Sequence, residues 1–119
     1  MKKESKFFKA LADDTRLAII ALLSWREELC VCDIMMVLAL TQSKASRHLR
    51  YLTQAGILDD ERRTVWVYYR ISPDLPPLEA GIIRDVQSHF NSKGYAALRK
   101  KLEVWLKKKT PELVCGAGK

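Results

Sequence analysis

Between Thr41 and Gly56 the chain reads TQSKASRHLRYLTQAG, with Ala45, Leu49 and Leu52 spaced at i, i+4 and i+7. That spacing lays one narrow apolar stripe along a helix, while Ser43, Lys44, Ser46, Arg47 and Arg50 project elsewhere. Thr41 offers a side-chain oxygen to the first free N–H groups, and Gly56 suits the chain reversal at the far end. The segment is therefore predicted to be a surface helix with a polar, basic outer face.

The flanking segments supply what such a helix needs. Phe7, Phe8 and Leu11 begin a helical stripe, and Asp13 or Asp14 caps a second helix that turns Leu17, Ile20, Ala21 and Leu23 inward. Val31 to Ala39 reads as a short third helix, with Asp33 in its first turn where a negative charge suits the dipole. After Gly56, Ile57–Leu58 and Val65–Ile71 are β-rich runs around the polar DDERRT, and alternation along Val65 to Arg70 predicts a β-hairpin with Arg62 and Arg63 at its tip. Beyond the Ser-Pro-Asp-Leu-Pro-Pro break, Leu78, Ile82, Ile83 and Val86 fit one amphipathic helix; Tyr95, Leu98, Leu102, Trp105 and Leu106 fit another.

A short helix, a tight turn, a polar second helix and a basic hairpin follow the order of a winged helix-turn-helix. The expected fold is mainly α with a small β-hairpin, and it is expected to be dimeric, since a chain this short buries a modest core alone. A helix of the 41–56 kind fits the major groove, where its side chains meet phosphates or base edges, and the hairpin reaches a neighbouring minor groove. The candidate DNA contacts are Gln42, Ser43, Lys44, Ser46, Arg47 and His48 on the helix, with Arg62 and Arg63 on the hairpin. A solvated surface helix would show the same polar face; the hairpin and the charge favour DNA.

That charge is +7 over 119 residues, which makes an anionic partner the expectation. The length fits one domain, taken as residues 1–110, followed by a loose tail, 111–119. The segment Lys93 to Lys109 alone carries a balance of +6 and reads as a solvated helix face. The longest apolar runs, Leu17–Leu23 and Ile34–Leu40, fall far short of the roughly 18 to 20 residues a bilayer span needs. The basic start, MKKESKFFKALADD, lacks the apolar stretch and small-residue site of a signal peptide, so a cytoplasmic location and no membrane partner are expected. No Ser/His/Asp triad, carboxylate dyad or phosphate-binding glycine loop is evident, and an enzyme is not expected.

Cys30, Cys32 and Cys115 are an odd number in a chain without a secretory signal, which argues against a disulfide framework and leaves thiols as ligands. At i and i+2 on a regular helix, Cys30 and Cys32 lie about 200° apart, so one ion held by both would have to reshape that turn. A helix start favours thiolate, and thiolate sulfur selects soft ions. Sensing of thiol oxidation or of another soft cation is a second reading of the pair. A small thiol oxidoreductase is a third, opposed by the lack of the alternating strand and helix pattern of thioredoxin-like enzymes.

Through FKALADDTRLAIIALL, ELCVCDI, TQSKASRHLRYLTQAGIL and VWVYYRISP, roughly Phe7 to Leu106, the chain resembles the ArsR/SmtB family of metal-responsive winged-helix repressors, and within it the arsenic-responsive ones. The resemblance implies a homodimer that occupies double-stranded operator DNA and leaves when trivalent arsenic or antimony, As(III) or Sb(III), binds. It implies three thiolates around the metalloid, the third placed three residues after Cys32, where this chain has Met35. Cys115 is then the candidate third ligand beside Cys30 and Cys32, with a small external thiol as the alternative. The family's zinc-type pattern, Asp-x-His, is broken here, because Asp85 is followed by Gln87; His89 is expected to be structural or exposed.

Overall fold

The computed structural model describes residues 1–109, so the expected tail with Cys115 lies outside the described residues. Six α-helices and three short strands follow the order α1 (Lys2–Leu11), α2 (Asp14–Trp25), β1 (Leu29–Cys30), α3 (Val31–Leu38), α4 (Gln42–Gln54), β2 (Leu58–Arg63), β3 (Trp66–Ile71), α5 (Pro77–Phe90) and α6 (Ala96–Lys108). A 3₁₀ turn, Lys93–Tyr95, links the last two.

Local chemistry accounts for the boundaries. The Asp13 carboxylate accepts the Arg16 N–H at 2.9 Å and starts α2, and Thr41 Oγ1 accepts the Lys44 N–H at 3.2 Å and starts α4. Gly56 closes α4 with φ +79°, and the Ile57 N–H reaches back to the Leu52 carbonyl at 3.0 Å. The same closure ends α3, but its left-handed residue is Ala39, at φ 54°.

Helix α2 is the centre of the domain. Ile19, Ile20, Ala21, Leu22 and Leu23 are all buried, and α1, α3, α4, α5 and α6 all pack on it. Leu49 and Leu52, the stripe of α4, are fully buried beneath its polar face. Each such leucine contributes roughly 1.5 to 3 kcal/mol by leaving water.

Two local expectations are corrected. The polar DDERR segment is not the turn of the hairpin; it is strand β2, paired along its length with β3, from Leu58 opposite Ile71 to Arg63 opposite Trp66. As the edge of the sheet it points its charges at solvent while β3 satisfies its backbone, so apolar alternation is not required of it. The tip is Thr64–Val65, with Thr64 at φ 55°, and Arg62 and Arg63 close the strand just before it. Leu29 and Cys30 form a third strand on the other side of β3, giving the order β1-β3-β2. Leu102 and Trp105 of the C-terminal stripe are buried in the core, and α6 packs along α3.

Candidate nucleic-acid interface and thiol site

Helix α4 presents Gln42, Ser43, Lys44, Arg47 and Arg50 to solvent, with Ser46 half-buried. The one candidate on this helix that faces inward is His48. Its Nδ1 lies 3.3 Å from Arg16 Nη1 and 3.8 Å from Asp13 Oδ2, at the start of α2. Burial pushes its pKa below the usual histidine value; Asp13 pulls the other way, and the Arg16, Arg47 and Lys44 cations add to the lowering. At neutral pH the ring is uncharged and holds α4 to α2.

Arg16, which sequence reasoning passed over, anchors the same junction. Its guanidinium donates to the Ala10 and Lys9 carbonyls at 2.7 and 3.1 Å, closing the end of α1, and lies 4.0 Å over the Tyr51 ring of α4. One side chain thus fixes the mutual positions of three helices. Its position in the first turn of α2 carries no sequence signal for this, because the carbonyls, the imidazole and the ring it meets lie in the helix before and in α4, distant in the chain.

On the wing, Arg62 is exposed and projects beside α4. Arg63 is exposed too but engaged: it forms a two-bond pair with Glu28 at 2.6 Å each, bonds Glu61 at 2.6 Å, and stacks over Tyr68 at 4.6 Å. These carboxylates raise its pKa further above the ordinary guanidinium value. Glu28 stands two residues before Cys30, so the wing is tied to the chain segment that enters the thiol site.

Cys30 and Cys32 are 2% and 1% exposed. They do not share a helix. Cys30 ends β1 and is the extended N-cap of α3, and only Cys32 lies within the helix. The two residues line one cavity of about 410 Å³ together with Val31, with Gln42 and Ser46 of α4, and with Arg62, Trp66 and Tyr69 of the wing. The constraint that separates i and i+2 on a regular helix is therefore lifted. The expected thiolate character is not found at Cys30: burial, and next the Asp33 carboxylate, push this thiol up. A soft ion that displaces the thiol proton reverses that bias, since the bound sulfur is held as thiolate whatever its free pKa.

Among the described residues no group of three or more His, Cys, Asp or Glu is arranged to hold a metal ion. His89 is exposed, its Nε2 3.2 Å from the Tyr95 hydroxyl. No helix among the described residues is long and apolar enough to cross a membrane.

Helix-turn-helix, wing and apolar support together make up a winged helix-turn-helix fold, the architecture of a class of DNA-binding regulators. Residues 13–60, from the cap of α2 into β2, match the family described as "Bacterial regulatory protein, arsR family". The arsenical resistance operon repressor of Escherichia coli K12 is 45% identical over 94 residues, 79% of this chain and 80% of that one. The chain belongs to the arsR family. Among solved structures it is similar to a homodimeric winged helix-turn-helix DNA-binding domain from Mycobacterium bovis, with TM-score 0.63 and 27% identity over 77% of this chain and 82% of that one. It is also similar to the AntR antimony-specific transcriptional repressor, with TM-score 0.57 and 27% identity over 71% and 74% of the two chains.

Proposed function

We propose that this regulator is a repressor that occupies operator DNA as a homodimer and is released when trivalent arsenic or antimony binds Cys30 and Cys32. The observation that carries the reading is the shared cavity, which both cysteines line together with Gln42 and Ser46 of α4 and Arg62 of the wing. A ligand gathered by the sulfurs sits against the surfaces that meet DNA. The arsenical repressor of E. coli and the antimony-specific AntR support the choice of ion, and the homodimeric M. bovis domain supports the assembly.

In the DNA-bound state Gln42, Ser43, Lys44, Ser46 and Arg47 line the major groove and Arg62 meets a flanking phosphate. Arg63 joins them once it exchanges Glu28 for phosphate, and His48 acts from behind by holding α4 in place. A two-fold dimer sets two such helices about one helical turn, roughly 34 Å, apart. The thiols are buried, so ligand entry has to open the first turn of α3, and α4 follows only three residues after that helix. A change there tilts the reading helix. The third ligand to the metalloid is Cys115 or a small thiol from solution, and thiols kept available as ligands fit a reducing, cytoplasmic compartment.

The test is fluorescence anisotropy on a labelled promoter fragment from upstream of the protein's own gene, titrated with arsenite without oxygen. Arsenite is expected to release the wild type but neither Cys30→Ser nor Cys32→Ser, and loss of response in Cys115→Ser assigns the third ligand. Release of the Cys30→Ser and Cys32→Ser variants at wild-type arsenite concentrations overturns the site.

A further inference from the structure

Asp33 is a carboxylate only 1% exposed, one residue after Cys32, in a helix otherwise made of VCIMMVL. A buried carboxylate is tolerated only where hydrogen bonds replace its water, and this one is fully supplied. Its Oδ2 accepts the Cys30 backbone N–H at 3.0 Å. Its Oδ1 accepts both the Trp105 indole N–H and the Lys109 ammonium, each at 2.8 Å. The reciprocal half of the arrangement is a capping box, in which the Cys30 sulfur faces the Asp33 N–H. A single carboxylate therefore joins the N-cap cysteine of α3 to two side chains more than 70 residues away, at the end of α6.

We propose that Asp33 is the positioning residue that transmits occupancy of the thiol site to α6, and that α6 is a brace on the DNA-reading pair α3–α4, latched only while the cysteines are unliganded. The inference rests on the reading of Cys30 and Cys32 as the metalloid site. When arsenite reacts with a thiol, an As–S bond forms as an As–OH bond breaks, and the thiol proton leaves with the hydroxide as water; nothing is oxidised or reduced. The Cys30 sulfur can no longer cap the Asp33 N–H in the same position, and the capping box opens. Asp33 turns with the first turn of α3, and Trp105 and Lys109 lose their common acceptor. Helix α6 packs along α3, so its release frees the first helix of the reading pair. The latch gives α3 two discrete states, which is what an effector needs in order to bias an equilibrium.

The test uses the full chain labelled with 5-fluorotryptophan, with the Trp105 resonance assigned by Trp105→Phe, and arsenite as the probe. Arsenic–thiolate absorbance reports binding, the ¹⁹F shift reports the indole hydrogen bond, and amide exchange reports α6. On saturation with arsenite the Trp105 resonance is expected to move, and exchange across residues 102–108 to quicken at least about tenfold while α2 stays protected. Asp33→Asn is expected to bind arsenite still, to show the moved resonance already without ligand, and to lose most of the change in operator Kd. That change should fall from the five- to 150-fold range typical of allosteric coupling to under about threefold. If Asp33→Asn does not fold, Lys109→Met removes one α6 donor and leaves the other bonds; its arsenite-induced gain in α6 exchange should be smaller than the wild type's. Arsenite bound with Trp105 and α6 unchanged, or a full operator response in Asp33→Asn, overturns the inference alone. Absence of arsenic–thiolate absorbance overturns the site itself, and the latch with it.

Discussion

The Asp13, Arg16 and His48 cluster decides whether α4 is held at a fixed angle to α2. Asp13 is held below the usual carboxylate pKa by the Arg16 N–H it accepts, and further by the Arg16 and His48 charges. Asp13→Ala removes the α2 cap and should lower stability by about 1 kcal/mol, read as a fall of a few degrees in Tm; an unchanged Tm would remove the cap from the account. His48 is held below its ordinary value as well, there first by burial. Its folded pKa lies below the unfolded value near 6.5, so the unfolded chain binds more protons in the window between them. The stability that neutral His48 supports is complete above about pH 6.5 and declines as the pH falls through that window. NMR titration should place its midpoint below that of an exposed histidine, and a midpoint above would show the ring to be cationic and turned outward.

At the scale of elements, the wing and the α3–α4 turn each carry a testable feature. Arg63 is paired with Glu28 and Glu61 in an exposed setting, where such pairs contribute little to stability. Their effect falls on the charge the wing offers to DNA. Glu28→Gln should leave the fold intact, strengthen operator binding at low salt and steepen the dependence of log K on log salt by about one unit per phosphate gained. An unaltered slope would mean that Arg63 stays bound to Glu61 on DNA. Ala39 closes α3 at φ 54°, a conformation glycine adopts without strain, so Ala39→Gly should raise stability by roughly 0.5 to 1 kcal/mol in thermal unfolding. The helices were legible in the chain because their signals are local: Asp13, Thr41 and Gly56 mark ends, and Leu49 and Leu52 mark a face. Strand β1 and the strand identity of DDERR were not, since both exist only through pairing with β3, and neither has apolar alternation of its own. The residues of the reading helix were legible as types on a face, but the inward turn of His48 and the Glu28 hold on Arg63 depend on partners 32 and 35 residues away.

For the whole molecule, the fold brings Cys30 and Cys32 to one cavity with Gln42 and Ser46 of α4 and Arg62 of the wing. The pair Cys30 and Cys32 was visible in the chain as ligand chemistry, whereas the placement of Cys30 at a strand end, its raised pKa and the burial of Asp33 against α6 all arise from tertiary packing. If occupancy of the cavity and occupancy of the operator oppose each other, linkage requires the effect to be mutual: the factor by which arsenite weakens operator binding is the factor by which operator weakens arsenite binding. The most direct measurement is therefore a titration of the dimer with arsenite without oxygen, followed by arsenic–thiolate absorbance, with and without saturating operator duplex. The expected arsenite Kd is five- to 150-fold weaker on DNA, matching the loss of operator affinity measured in the reverse order. Equal arsenite affinity with and without operator would contradict it, because thiols indifferent to bound DNA cannot release it.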